Sequence, residues 1–273
     1  MQNSTSSIDF KKYKRFFAFG CSFTNYSWPT WANIIAKEIP DHYIYAKPGA
    51  GNFYIFQALM EAIIHHKINK DDLVMIMFSN ITREDRFVKN KGWITPGNLY
   101  HQTEYNQEFL KKYLCHHGYL MKDLNLVQGC KLALETTSCD YDLMSMVPFN
   151  SEQSNDKKID HVDYILEFYK DIIESVRPSV MDVVFNNDWE SRPHRPEYFV
   201  QWQKQKFRDS HPTPAEHLEF LQRTYTDIEF SKSTLEFVNT CNAVVLSDNF
   251  VYNSLHDVST NIYPRLGEDT RYE

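Results

Sequence analysis

Apolar and polar positions fall into blocks whose period changes along the chain. Residues 1–14 are mostly polar and read as a loose N-terminal segment. Arg15–Gly20 (RFFAFG) is a short apolar run, predicted as a first strand. Pro29 suits the first position of a helix, and Trp31, Ile34, Ile35 and Ile39 follow at helical spacing. His42–Ala46 predicts a second strand. It runs into Lys47-Pro48-Gly49-Ala50-Gly51-Asn52, a loop with two glycines in which Asn52 is a candidate N-cap. A helix through about His66 carries Ile55, Leu59 and Ile63 on one stripe. Leu73–Phe78 is then apolar at every position, as a strand buried on both faces should be. The order β-α-β-α-β with short connections predicts a parallel sheet with right-handed crossovers.

The pattern then loosens. Residues 83–106 mix charge, aromatics and turn signals and read as a long loop or lid, the first part of an insertion over about 83–140. Asn106–Ser138 reads as mostly helical with a break near Gly118. Tyr141–Val147 predicts a fourth strand, Ser151–Lys158 a polar connection, and His161–Val176 an amphipathic helix. Val180–Phe185 reads as a fifth strand. Residues 186–212 have no regular period. Thr213-Pro214-Ala215-Glu216 has capping-box spacing with proline at the first helical position. These elements predict an α/β fold with a single domain over 15–240. Residues 241–273 read as an irregular C-terminal extension that packs on the domain or reaches a protein partner.

Composition narrows the class. A chain of 273 residues with 42% hydrophobic content can bury a sizeable core. The net charge of −7 argues against a nucleic-acid scaffold, which needs a basic face. No run approaches the roughly 18 apolar residues of a membrane span, and the N-terminus lacks a signal-peptide pattern. A cytoplasmic or virion-associated location is therefore expected, with no membrane contact. Five cysteines without regular spacing read as buried reduced thiols. The adjacent pairs His65-His66 and His116-His117 do not share a helix face, so no metal is expected, and no cofactor.

The chemistry gathers where strands end. Gly20-Cys21-Ser22 turns sharply after strand one and presents Ser22 at the carboxyl edge of the sheet, where open α/β folds place their sites. Gly49–Asn52 follows strand two and Ser79-Asn80 follows strand three, at the same edge. Loop N–H groups and an asparagine amide, with the N–H of Ser22, can form an oxyanion hole. His211 stands before a helix N-terminus and can reach that edge, where it would activate a serine hydroxyl. Asp209 could orient the imidazole. Each residue also has a plain structural role open to it: Ser22 as a turn serine, Asn80 as a turn asparagine, Gly51 as a loop glycine, His211 as a cap-region histidine. His217 reads as structural.

Together these segments resemble the SGNH, or GDSL-type, hydrolases over about residues 15–220. Gly20-Cys21-Ser22-Phe23-Thr24 resembles the first block of that family, with Cys21 where the family has aspartate. Gly51, or alternatively Gly49, matches the second-block glycine, Asn80 the third-block asparagine, and Asp209-Ser210-His211-Pro212 the last block with one residue fewer between acid and base. The resemblance implies a flavodoxin-like three-layer α/β/α fold with a five-stranded parallel sheet in the order 2-1-3-4-5. It implies ester hydrolysis through an acyl-serine, with Ser22 as nucleophile, His211 as base, Asp209 as orienter, and Gly51 and Asn80 as oxyanion donors. A Ser–His dyad, or Asp188 or Glu190 as the acid, is the alternative.

Trp93, Trp189, Trp202 and Tyr100 lie in segments expected to overhang the site. Aromatic residues with scattered charges suit sugar rings, so the expected substrate is a small-molecule or glycan ester, an O-acetylated glycan among them, with Trp93 and Trp189 as candidate contacts. The same aromatics could instead form the core of a lid. From a different class, a weakly active or non-catalytic module of a surface or viral assembly also fits these residues.

Overall fold

The computed structural model describes residues 8–100, 104–149, 162–188, 192, 195–200, 204–255 and 263–265. Four parallel strands form its central sheet: β1 (Arg15–Gly20), β2 (His42–Ala46), β3 (Asp72–Phe78) and β6 (Asp140–Ser145), in the order β2-β1-β3-β6. Two short hairpins lie outside it, β4 (Arg86–Val88) with β5 (Gly92–Ile94), and β7 (Glu197–Val200) with β8 (Gln205–Arg208). Strand β1 is central because its apolar run can be buried on both sides. Phe17 sits between Tyr43 of β2 and Val74 of β3, and all seven residues of β3 are buried.

Helices cover both faces. Helix α2 (Asn52–His66) packs on α4 (His116–Thr137), which contacts α5 (Asp163–Phe168) and α6 (Lys170–Glu174). Helix α8 (Pro214–Thr224) packs on α1 (Trp31–Ala36), α7 (Val180–Phe185) and α9 (Lys232–Val245). Helix α3 (Gln107–Tyr113) precedes α4, and the break between them falls at Leu114-Cys115, not at Gly118. The helix expected over 161–176 is two short helices interrupted at Tyr169. No helix among the described residues is long and apolar enough to cross a membrane.

The fifth strand expected over Val180–Phe185 is a helix, α7. Ser179 and Asp182 make a reciprocal capping box, with Asp182 N–H donating to Ser179 Oγ at 3.1 Å and Ser179 N–H to Asp182 Oδ2 at 3.0 Å. Two side chain–backbone bonds satisfy orphan donors of a helix N-terminus, which an apolar run alone does not reveal. The sheet stops at β6. The N–H groups of Arg177 and Met181 bond to the carbonyls of Leu143 and Met146, covering that edge. The opposite edge, β2, receives the N–H of Tyr263 on the carbonyl of Ile44.

Other expectations also shift. Asn52 is not the N-cap of α2; Gly51 is, and Asn52 opens the helix. Residues 83–106 contain the β4–β5 hairpin, and 197–208 the β7–β8 hairpin, within stretches read as loops. Helix α9 continues through residue 245, past the point where the irregular extension was placed. Ser151–Lys158 lies outside the described residues.

Gly49 and Gly20 are among the glycines demanded by crowding. Gly49 has φ +78°, and a Cβ there would stand 2.2 Å from the carbonyl oxygen of Thr95. A Cβ on Gly20 would stand 1.9 Å from Thr24 Oγ1, at the turn that carries Ser22. Gly20→Ala should therefore destabilise the fold by about 1–3 kcal/mol, lowering the melting temperature by roughly 2–4 °C for each kcal/mol. Thr24 Oγ1 is buried with no partner among the described residues. Thr24→Ala in the Gly20→Ala background removes Oγ1 but keeps the Cβ that would stand 2.7 Å from the new methyl, so it should restore part of the loss in a thermal melt; no recovery would show that the crowding is not at Thr24 Oγ1.

Candidate active site

The turn after β1 is built by helix-like bonds, with the N–H groups of Thr24 and Asn25 both donating to the carbonyl of Cys21. Cys21 is fully buried, its thiol 3.6 Å from Met146 Sδ, so it faces the core while the Ser22 hydroxyl faces His211. Ser22 is 7% exposed. Its Oγ lies 3.0 Å from His211 Nε2.

His211 reaches Ser22 because the chain before it is pinned at several points. The β7–β8 hairpin closes just ahead, with Asp209 N–H donating to the carbonyl of Pro196 at 2.8 Å. Asp209 Oδ1 accepts the backbone N–H of His211 at 2.7 Å, an Asx turn that reverses the chain across Ser210. The same Oδ1 lies 2.8 Å from His211 Nδ1. An ionised carboxylate only accepts, so Nδ1 carries the proton and Nε2 is left to accept from Ser22. The turn lets a single intervening residue do the work of two.

Arg195 braces this loop from behind. Its guanidinium donates to the carbonyls of His211 at 2.5 Å and Asp209 at 3.3 Å, and one of its terminal nitrogens makes a two-bond contact with both carboxylate oxygens of Glu216. Glu216 also accepts the N–H of Thr213, completing the capping box at the start of α8. Trp28 Nε1–H donates to the carbonyl of Pro212 at 2.8 Å, tying the histidine loop to the serine loop.

Both oxygens of Asp209 are occupied. Oδ2 accepts from the hydroxyls of Tyr26 at 2.5 Å and Tyr198 at 3.0 Å. The carboxylate is 2% exposed. Burial pushes its pKa up, but the hydrogen bond and charge of His211 and the Tyr26 hydroxyl outweigh burial and hold it below the ordinary value. The Tyr26 ring also stacks on the imidazole, centroids 3.8 Å apart. His217 is fully buried in α8 beside Phe23. Burial drives its pKa down to about 3, so it remains neutral.

The loops after β2 and β3 meet in a buried polar knot. Asn52 Oδ1 accepts the Ser79 N–H at 2.8 Å, and its amide donates to the Ser79 carbonyl and to Asp123 Oδ2 at 3.0 Å. Asn80 Oδ1 accepts from the N–H and hydroxyl of Thr82, which fixes the orientation of the amide. Gly51 does not present a spare donor. Its N–H points at Asp85, 2.8 Å and 3.1 Å from the two carboxylate oxygens, and Asp85 also accepts the N–H of Tyr54. Asp85 thus caps α2 from a residue far along the chain, and the hydrogen-bonding end of Gly51 belongs to the helix.

Trp93 is 8% exposed, packed on Phe53, Tyr54 and Phe87, with the Arg265 guanidinium 4.5 Å from its ring centroid. It anchors the β4–β5 hairpin and offers little surface to a ligand. Trp189, Trp202 and Glu190 lie outside the described residues. Asp188 closes the α7 turn, its N–H donating to the carbonyl of Phe185, while Asp209 sits at the histidine. Among the described residues no group of three or more His, Cys, Asp or Glu side chains is placed to hold a metal ion.

Sequence reasoning passed over Tyr26, Tyr198, Asp85, Asp123 and Arg195. Tyr26 stands four residues after Ser22, but nothing in its neighbours signals a carboxylate partner. The partners of the others are distant in sequence. No family model matches the chain, and no curated protein matches it.

Asp123 yields a test of the knot. It is fully buried, and desolvation, opposed by Lys122 and Asn52, raises its pKa to about 8. The folded state therefore holds this proton more tightly than the unfolded chain. Its stabilising effect is complete below the ordinary aspartate range and is lost as pH rises through about 8. Asp123→Asn should flatten that part of the profile, so the variant's stability relative to wild type should increase from pH 5 to pH 8 in denaturant titrations. Parallel profiles would mean that Asp123 carries no extra proton in the folded state.

Proposed function

We propose that this chain is a serine ester hydrolase in which Ser22, His211 and Asp209 form the catalytic triad. The observation that carries the reading is the continuous contact from Ser22 Oγ to His211 Nε2 at 3.0 Å and from His211 Nδ1 to Asp209 Oδ1 at 2.8 Å. Three groups from two distant segments meet in the order that nucleophilic catalysis needs. Ser22 Oγ attacks the ester carbonyl carbon and its proton passes to Nε2. The imidazolium, stabilised by Asp209, then gives that proton to the departing alcohol. Water, deprotonated by the same nitrogen, releases the acid and restores the serine.

The SGNH resemblance belongs to this reading. Strand order β2-β1-β3-β6, with β1 central and the blocks following β1, β2 and β3, supports it; the fold departs from the five-stranded pattern at α7. For the oxyanion we assign the Ser22 N–H and the Asn80 amide, since the Gly51 N–H is committed to Asp85. A nucleophile only 7% exposed suits a small acyl group, and an acetyl ester on a glycan is the proposed substrate class.

A weakly active or non-catalytic module is the second reading, favoured by one observation: the second-block donor is occupied by a carboxylate. Turnover of a chromogenic acetyl ester separates the two. Ser22→Ala and His211→Ala should each remove nearly all turnover. Asp209→Asn should cost on the order of 10²–10⁴ in kcat, and Asn80→Ala about 10²–10³. Wild-type protein that neither turns over the ester nor reacts with a fluorophosphonate probe would leave only the second reading.

A further inference from the structure

Beyond the two donors from His211, the Asp209 carboxylate accepts two tyrosine hydroxyls. Its Oδ1 is filled by the backbone N–H and Nδ1 of His211, and Oδ2 by the hydroxyls of Tyr26 and Tyr198. The two tyrosines come from separate parts of the fold, the loop after β1 and strand β7. Tyr252 of the C-terminal segment stacks on Tyr198 with centroids 4.6 Å apart and meets Tyr26 edge-on at 6.1 Å. Both hydroxyls remain donors, because burial and the Asp209 charge push them well above the ordinary tyrosine value.

We propose that Tyr26 and Tyr198 are positioning residues that set the strength with which Asp209 draws on His211, and so the pH at which His211 serves as base. This rests on the reading of Ser22, His211 and Asp209 as a triad. A hydrogen bond donated to a carboxylate stabilises its charge and makes it a weaker acceptor elsewhere. Two such bonds on Oδ2 reduce what Oδ1 offers to the Nδ1 proton. Removing a hydroxyl concentrates the charge of Asp209 on His211, so the imidazolium is held more firmly and the free base appears only at higher pH. Tyr26 adds a second constraint, since its stacked ring fixes the plane of the imidazole.

Among the described residues, the other charged and titratable groups facing the pair are few. Arg195 donates to the backbone carbonyls of residues 209 and 211 and is neutralised by Glu216. His217, from α8, is held neutral by burial. Ser22 meets His211 on its other nitrogen, and Tyr252 packs on Tyr26. The two tyrosine hydroxyls are the groups in direct contact with Oδ2 that can be removed without disturbing the Asx turn.

The test compares wild type, Tyr26→Phe, Tyr198→Phe and the double variant. Each single variant keeps its ring and leaves one donor on Oδ2, which protects the fold. Two measurements are made: the pH profile of kcat/KM on a chromogenic acetyl ester, and the far-downfield proton resonance of His211 Nδ1–H. The acid limb should move to higher pH by roughly half a unit or more in each single variant and further in the double variant, with the resonance moving downfield in step. An acid limb and a resonance that stay in place, even with a uniform loss of kcat at all pH values, would reduce both tyrosines to packing roles and overturn the proposal. Absence of wild-type turnover would overturn the esterase reading instead, and the resonance alone would then decide whether the tyrosines act on Asp209.

Discussion

A carboxylate removed from water must find donors for both oxygens or give up its charge. Asp209 is such a group, and much of the site is arranged by its needs. One oxygen takes the backbone N–H of His211, which bends the chain, and the ring proton of the same residue. The other takes two tyrosine hydroxyls from distant elements. The imidazole is thereby set toward Ser22 with its proton on the far nitrogen. Arg195 and Glu216 act one layer out, where a buried ion pair engages the carbonyls on either side of the turn. Break the pair on one side and an uncompensated charge remains inside the protein, which costs several kcal/mol.

Buried acidic groups also order the start of α2, with Asp123 in its protonated form below about pH 8. Asp85 bonds two N–H groups at the first turn of that helix, and Asp123 holds the asparagine that holds Ser79. These carboxylates fix where the loops after β2 and β3 lie relative to Ser22. Asp85 also explains why the Gly51 N–H belongs to the helix. A helix N-terminus attracts an anion, and here the anion is a side chain of the protein itself.

What could be read from the sequence follows the reach of each signal. The first three strands and their helices were legible because a continuous apolar run and a helical stripe are local patterns. So were Ser22, Asn80 and His211 as residues at strand ends or beside a helix start. The capping box at Thr213 was legible and is present. The comparable pair at Ser179 and Asp182 went unread, and six apolar residues passed for a strand. Trp93 could be placed in the lid, but whether it met ligand or core depended on Arg265, whose arrival no local pattern announces. Tyr26, Tyr198 and Asp85 are found only when the chain is folded, since each acts on a partner brought to it by the sheet or the hairpins.

Arg265 lies between the rings of Tyr54 and Trp93 and pairs with Glu61, while Tyr263 bonds to the carbonyl at the edge of β2. That geometry has a temporal side. A chain folding as it leaves the ribosome can form β1, β2, β3 and the β4–β5 hairpin early, because their contacts are close in sequence. The aromatic slot on α2 stays vacant throughout that time, and the hairpin rests on it unfastened. The cation that seats it is supplied only after the segment carrying His211 has emerged. The loop that carries Ser22 is thus made well before the residue that fastens the β4–β5 hairpin.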